Sequence, residues 1–186
     1  MVGARELSEK ADALLAAKSK LTLAELYKSS MKVRKNKDYP ATKIKLVSTS
    51  VAPGVKSLTI NAEAHGEGLY PVRMVFYQVD FSEVKDAVHT IAAVLGGSGG
   101  QRTQYYMAPI RAQKNPVRLY CECFDFRFTW EFYNKKHEAL YPARVPHPYT
   151  RKTTTYPERN PLHLPGFCKH TAGLIEVLRT RGLLKY

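Results

Sequence analysis

The chain has 186 residues, of which 44% are hydrophobic, and it carries a net charge of +13 at pH 7. This length and composition predict one well-buried globular domain and exclude the disordered and collagen-like classes. No apolar run approaches the ~20 residues that a membrane helix needs, so we expect no contact with a membrane. The N-terminal residues do not resemble a secretory signal, so we expect folding in a cytoplasm.

The positive charge is concentrated in the second half of the chain. Residues 1–100 carry 14 Lys and Arg against 10 Asp and Glu, whereas residues 101–186 carry 15 against 6. Such an excess favours contact with polyanions or with an acidic protein neighbour. A solvated basic surface that aids solubility is the alternative.

The N-terminal 40 residues are predicted to form a helical arm. Helical spacing of Leu7, Ala11, Leu14, Leu15 and Lys18 indicates a helix over 5–19. Thr22 followed by Glu25 is a capping-box pattern, which predicts a second helix over 23–30. A basic, turn-rich link covers 32–40. The arm either packs on the domain or reaches to a partner.

The middle of the chain reads as antiparallel strands followed by a helix. Residues 43–50, 57–66 and 68–81 are rich in alternating, β-branched or aromatic residues. Ser82 is then predicted to cap a helix over 83–95. Its apolar stripe would contain Val84, Ala87, Val88, Ile91, Ala92 and Leu95. The run GGSGG at 96–100 is a flexible break without a phosphate-loop Lys-Ser/Thr.

The C-terminal third holds one ambiguous segment. Residues 115–124 read as a strand, and alternating aromatics continue the pattern to Phe132, although Phe126, Trp130 and Tyr133 also fit one face of a helix. Residues 139–166 contain six of the eleven prolines, which indicates a long loop. A final helix is predicted from Cys168, with Gly182 as its stop signal.

These elements predict an α+β fold with antiparallel strands, packed helices and a metal-stapled C-terminal part. We expect a helical arm over 1–40 and a single α+β domain over 41–186. That domain would contain a metal-binding unit at 117–184.

The three cysteines fall into a two-pair pattern with a histidine. Cys121-x-Cys123 lies 44 residues before Cys168-x-His170, and every cysteine of the chain is used. An odd number of cysteines disfavours a disulfide scaffold, and a Cys121–Cys123 bridge would close a strained ring. A structural zinc site takes four tetrahedral ligands, usually from two close pairs. The pattern therefore predicts a zinc ion on Cys121, Cys123, Cys168 and His170.

Each pair has a geometry that can reach a shared metal. Residues i and i+2 of a strand lie ~6.6 Å apart on one face, so we expect a bend after Cys121. Residues i and i+2 of a helix interior point to nearly opposite sides. Cys168 is therefore expected near the cap of the last helix, with His170 in its first turn, where the helix N-terminus also favours a thiolate.

Alternatives to this site remain open. Buried cysteines can pack as small hydrophobes, and an iron–sulfur cluster is the alternative cofactor. His163, His147 and His137 are alternative ligands to His170. Four protein ligands leave no open position, so the site is predicted to be structural and to pin the proline-rich loop. Arg127 and Lys169 lie close in sequence to offset its net charge of −1.

C-x-C followed at long distance by C-x-H is similar to the SWIM zinc-finger pattern. A longer signature resembles a group of tailed-bacteriophage virion proteins. Its elements are CECFDFRF (121–128), PYTRKTTTYPERNP (148–161) and LPGFCKH (164–170). The resemblance spans residues 117–184. It implies metal ligation by the four Cys and His residues and a structural role in the tail, baseplate or connector of the particle.

The residues suggest no enzyme, because no G-x-S-x-G, H-E-x-x-H or Walker pattern occurs and Asp125 has no obvious carboxylate partner. The leading hypothesis is a virion assembly protein that contacts other virion proteins in a symmetric multi-copy particle, with weak nucleic-acid contact. Candidate partner-binding residues are Arg144, Arg151, Lys152 and Arg159. A zinc-containing nucleic-acid-binding module, which uses the same basic loop and the aromatics after Cys123 to stack on bases, is the second hypothesis. A metalloenzyme is the third.

Overall fold

The computed structural model describes residues 14, 18–35, 37–66, 68–96, 102–142 and 158–186. The fold is α+β, as the sequence predicts. Its named helices are α1 (Leu23–Val33), α2 (Glu131–Lys136) and α3 (Lys169–Thr180). No helix among the described residues is both long and apolar enough to span a bilayer.

The main sheet contains four antiparallel strands in the order β1-β2-β3-β8. They are β1 (Lys43–Ala52), β2 (Ser57–His65), β3 (Leu69–Phe76) and β8 (Val117–Cys121). The three strands predicted over 43–81 are confirmed for β1, β2 and β3, with the third ending at Phe76.

One face of this sheet is apolar and is covered by α3. Cross-strand pairing places Ile60, Met74 and Leu119 in one row and Ala62, Val72 and Cys121 in the next. All six side chains are buried. Helix α3 lies across all four strands. Cys121 is therefore at the end of an apolar row, beneath the helix that follows Cys168.

Helix α1 begins with the predicted capping box. The Thr22 hydroxyl accepts from Glu25 N–H at 3.4 Å, and Thr22 N–H donates to the Glu25 carboxylate at 2.7 Å. Leu23 and Leu26 are fully buried, so this part of the N-terminal segment packs on the core. Residues 14 and 18 are also helical, whereas the rest of the predicted first helix lies outside the described residues.

The helix predicted over 83–95 is wrong. Strand β4 (Phe81–Ser82) and strand β5 (Ile91–Gly96) both pair with β6 (Arg102–Met107) in a three-stranded sheet. Ser82 caps a turn rather than a helix, because its hydroxyl accepts from Val84 N–H at 3.1 Å. Backbone pairing with β6 overrides the helical spacing of the apolar residues. Residues 97–101 of the glycine-rich break lie outside the described part.

The ambiguous segment after Cys123 is helical. A π-helical turn at Phe126–Trp130 leads directly into α2. Phe126 and Trp130 are buried, while Phe124, Phe128 and Phe132 are exposed. The alternation that favours a strand therefore reflects two faces of one helical segment.

The C-terminal helix is confirmed. Leu174, Ile175 and Leu178 form its buried face. Gly182, with φ of +72°, ends it in the left-handed conformation that glycine adopts most readily. A short parallel pair, β7 (Ile110–Arg111) with β9 (Leu184–Lys185), then ties the end of the chain to the body.

Candidate metal centre

Cys121 and Cys123 are placed by the end of β8 and the turn after it. Cys121 is the last residue of the strand, and Glu122 N–H still donates to the Pro71 carbonyl at 3.2 Å. The chain then bends at Cys123. Phe126 N–H donates to Cys123 Sγ at 3.3 Å, which fixes the sulfur at the start of the helical segment. The predicted bend after Cys121 is confirmed.

Cys168 and His170 are placed by the first turn of α3. Cys168 is the N-cap residue, with extended backbone angles of −86° and 174°, and His170 is the second residue of the helix. Both side chains are buried. This entry geometry is the one that the C-x-H spacing predicts, because the extended cap lets both side chains turn towards one point.

The four side chains meet at one point. One ligand atom from each of Cys121, Cys123, Cys168 and His170 lies within 4.8 Å of the other three. Cys121 Sγ lies 3.7 Å from His170 Nδ1. Zinc bonds of ~2.3 Å to sulfur and ~2.0–2.1 Å to nitrogen give tetrahedral edges of about 3.6 to 3.8 Å. The cluster therefore fits a tetrahedral metal ion and could bind one.

The histidine ring is held in a fixed orientation. Tyr70, from β3, stacks on it with ring centroids 4.8 Å apart. Nδ1 faces Cys121, and the opposite nitrogen is turned towards Gly66, where an added Cβ would lie 3.5 Å away. Stacking and burial position Nδ1 before any metal arrives, which lowers the entropic cost of ligation.

The thiols of Cys121 and Cys123 have pKa values shifted in opposite directions. Hydrogen bonds from Cys121 and then Cys168, with the Phe126 N–H, lower the pKa of Cys123 to about 4. Donation to Cys123 and Cys168, followed by burial, raises the pKa of Cys121. The Thr171 hydroxyl lies 3.5 Å from Cys168 Sγ. A divalent cation bound by these residues would displace thiol protons and stabilise the thiolates.

The segment before Cys168 is fixed by buried side chains from other elements. Asn134 of α2 bonds twice to Gly166, donating to its carbonyl and accepting from its N–H, both at 2.8 Å. Ser30 of α1 accepts from Phe167 N–H at 3.0 Å. Tyr39 donates to the Phe167 carbonyl at 2.7 Å, and burial raises its pKa. Two helices thus hold the main chain that delivers Cys168.

Gly166 itself cannot carry a side chain at this place. A Cβ there would lie 2.5 Å from a ring carbon of Trp130 and closer still to the Ser30 hydroxyl. Asn160 secures the same segment from its other end, donating to the carbonyls of Thr129 and Leu164. The Asn-Pro and Pro-Gly elements of the sequence therefore have physical roles in the approach to the centre.

The alternative histidines lie elsewhere or outside the described residues. His163 stacks on Tyr133 at 5.1 Å and pairs with Glu158, and His137 is exposed after α2. His147 is not among the described residues. The structure thus brings His170, and neither of the two described alternatives, to the cysteines.

The structure describes one of the four basic residues that were predicted to bind a partner. Arg144, Arg151 and Lys152 lie outside the described part, and Arg159 is exposed. Arg127, expected to offset the charge of the site, lies over the ring of Phe128 at 5.9 Å. Besides the four candidate ligands themselves, the Phe126 N–H and the Thr171 hydroxyl contact the sulfurs.

Sequence reasoning missed the residues that support the centre. Tyr70, Ser30, Asn134 and Thr171 lie far from the cysteine pairs in sequence or carry no spacing signal. The Pro-Gly-Phe run before Cys168 is the one local hint.

Comparisons of the chain with protein-family models, with curated proteins and with solved structures find no match.

Proposed function

We propose that this protein is a non-enzymatic assembly protein of a tailed-bacteriophage virion, stapled by one structural zinc ion. The observation that supports this proposal most directly is that four buried Cys and His side chains have ligand atoms within 4.8 Å of one another. In this proposal it belongs to the tail, baseplate or connector region and is made in the host cytoplasm.

Zinc is the favoured occupant because of the donor set. Three thiolates and one imidazole in a tetrahedron suit zinc, and they fill all four positions. Cys121, Cys123, Cys168 and His170 would hold the ion, which would supply a cross-link between the end of β8 and the start of α3. The cross-link would also join the two sides of the predicted proline-rich loop, of which residues 143–157 lie outside the described part.

A catalytic role is not favoured. Closed ligation leaves no position for a water or a substrate, and all four ligands are buried. The nearby Asp125 accepts a hydrogen bond from Thr129 at 3.1 Å, and burial raises its pKa. Its carboxylate is engaged in the turn, consistent with the expected local structural role.

The virion assignment rests on the resemblance of residues 117–184 to tailed-phage virion proteins. It is supported by two of those elements, since 121–128 and 164–170 carry the four ligands, and by Asn160 of the second element, which bonds to the carbonyls of Thr129 and Leu164. The basic surface suits neighbours with acidic faces in a symmetric multi-copy assembly. Particle proteins need rigid contact loops, and a metal staple supplies rigidity locally.

The metal identity is tested by cobalt substitution and visible absorption. Cobalt bound to three thiolates and one imidazole should give intense ligand-field bands typical of a tetrahedral site. Cys123→Ser should change those bands, whereas Glu122→Ser should leave them unchanged. A native protein with a strong visible chromophore and bound sulfide would instead identify an iron–sulfur cluster and contradict zinc.

The assembly role is tested by purifying the tagged chain from infected cells. The proposal predicts co-purification with particle proteins at high salt, and nucleic-acid binding that is weak, sequence-blind and lost with salt. Recovery without any particle protein, together with nanomolar nucleic-acid affinity, would support the second hypothesis and contradict this one.

A further inference from the structure

The helical segment that follows Cys123 exposes a row of aromatic rings. Phe124, Phe128 and Phe132 recur every four residues and are 66%, 37% and 61% exposed. The rings of Phe124 and Phe128 are parallel, with centroids 5.9 Å apart. We call these three residues the aromatic stripe.

The fold does not need the aromatic stripe for its core. The opposite face of the same segment carries Phe126, Trp130 and Asn134, which are all buried. That face anchors the segment to the sheet and to the chain before Cys168. Large exposed aromatic groups with no core role mark interaction sites.

The helical segment itself presents two exposed cations beside the aromatic stripe. Arg127 and Lys136 are exposed, and the Arg127 guanidinium lies over the Phe128 ring. The two carboxylates inside the segment are not fully exposed. Glu131 is buried, and Asp125 accepts a hydrogen bond from the Thr129 hydroxyl. Glu122, before the helical segment begins, is an exposed carboxylate. The exposed Glu158 carboxylate lies near the Phe132 end of the stripe, where it accepts from the Tyr133 hydroxyl at 3.1 Å and pairs with His163. The exposed face therefore combines flat rings with cations.

We propose that the aromatic stripe binds single-stranded nucleic acid without sequence preference. Unpaired bases would stack on Phe124, Phe128 and Phe132, while Arg127 and Lys136 contact phosphates. Complementarity with a polyanion follows from these cations and from the basic excess of residues 101–186. The binding is micromolar, since three rings and two cations form a short site. This inference does not depend on the virion role.

An acidic protein segment is the competing occupant. It would use the same cations, but an aliphatic side chain would serve its apolar contacts as well as an aromatic one. Base stacking requires the π-face of the ring. Replacement of phenylalanine by leucine separates the two occupants, because leucine keeps apolar area and removes the π-face.

The experiment is fluorescence anisotropy of a labelled 20-nucleotide oligo-dT, titrated with the full chain at several salt concentrations. Phe124→Leu and Phe132→Leu should each weaken binding about 10-fold, and Phe132→Tyr should leave it near wild type. Tyr186→Leu, which changes an exposed aromatic residue outside the stripe, is the control and should have no effect. Thermal melts check that each variant is folded.

The charge contribution is measured by the salt dependence. The double variant Arg127→Gln, Lys136→Gln should reduce the slope of log affinity against log salt by about 1.4 for single strands. Equal binding of duplex and oligo-dT, or unchanged affinity in both leucine variants, would overturn the proposal. Stronger displacement by poly-glutamate than by unlabelled oligo-dT would assign the stripe to an acidic protein instead.

Discussion

The candidate metal centre and the described residues 81–96 and 102–107 show two ways in which this chain fixes its conformation. At the centre, side chains from β3, β8, α1, α2 and α3 converge on a few buried atoms. In residues 81–96 and 102–107, a backbone ladder between β5 and β6 provides the structure, and Val84 and Val88 remain 69% and 57% exposed.

The difference shows where local patterns predict structure well. The spacing of the cysteine and histidine pairs reports a real convergence, because one ligand atom from each of the four residues lies within 4.8 Å of the others. The helical spacing of residues 84–92 does not report a buried helix face, because Val84, Ala87, Val88 and Ala92 are exposed. Substitutions should therefore be costly around the centre and tolerated at the exposed positions 83–88.

Cys121→Ser should have the largest effect. It removes one ligand and leaves the other three around a poorly held metal, so we expect a loss above about 4 kcal/mol in the free energy of unfolding. For a chain of this size the melting temperature should fall by more than about 10 °C. Calorimetry with Glu122→Ser as the neighbouring control measures this. Equal melting temperatures for the two variants would contradict a stabilising metal site at Cys121.

Gly166→Ala should have the second-largest effect on stability. The added methyl group would overlap the Trp130 ring and the Ser30 hydroxyl, and overpacking of this kind costs about 3 kcal/mol. Gly54→Ala is the matched control, because an added Cβ at that position meets nothing within 4 Å. Chemical denaturation should show a clear loss for the first variant only. A neutral Gly166→Ala variant would show that the segment before Cys168 is not tightly packed.

Asn134→Ala should cost about 2 to 3 kcal/mol. The change leaves the N–H and the carbonyl of Gly166 buried without their hydrogen bonds. Asn61→Ala is the comparison, since Asn61 bonds to Ser48 and Arg73 on a partly exposed part of β2. Metal affinity should also fall for the first variant, measured by competition with a chelator. Equal effects of the two alanines would contradict the role assigned to Asn134.

Val84→Ser and Val88→Ser should each change stability by less than about 0.5 kcal/mol, because both side chains are largely exposed. A helix over 83–95 would predict a substantial loss for both, since they would belong to its buried stripe. Urea titration of the two single variants decides between these outcomes.

The smallest effect should come from the titration of His89. Its Nδ1 lies 2.8 Å from the Asp86 carboxylate and its Nε2 lies 3.2 Å from Asp80. The hydrogen bond to Asp86 raises the pKa of His89 above its usual 6.5. The stabilisation of the folded state by protonated His89 is therefore complete below about pH 6.5, and it is lost as the pH rises through the folded-state pKa. NMR titration of the ring checks it, and Asp86→Asn should lower that pKa.

The sequence predicts the main sheet, α1, α3 and the composition of the candidate site. These predictions succeed because they rest on local signals: alternation, the capping box of Thr22, the Gly182 stop, and ligand spacing. The entry of Cys168 and His170 at a helix start also follows from geometry alone.

The remainder depends on long-range contacts that carry no local signal. Residues 91–96 form a strand because 102–107 pair with them. Residues 124–136 are helical because Phe126 and Trp130 find a buried place on one side. Asn134 and Ser30 support the centre from elements distant in sequence, so only the folded chain reveals their role.

Metal analysis of the native protein, purified without chelators, tests the central claim most directly. The account predicts about one equivalent of zinc per chain, and a large fall in melting temperature once a chelator removes it. Less than about half an equivalent of any metal, with Cys121→Ser as stable as the native chain, would contradict it.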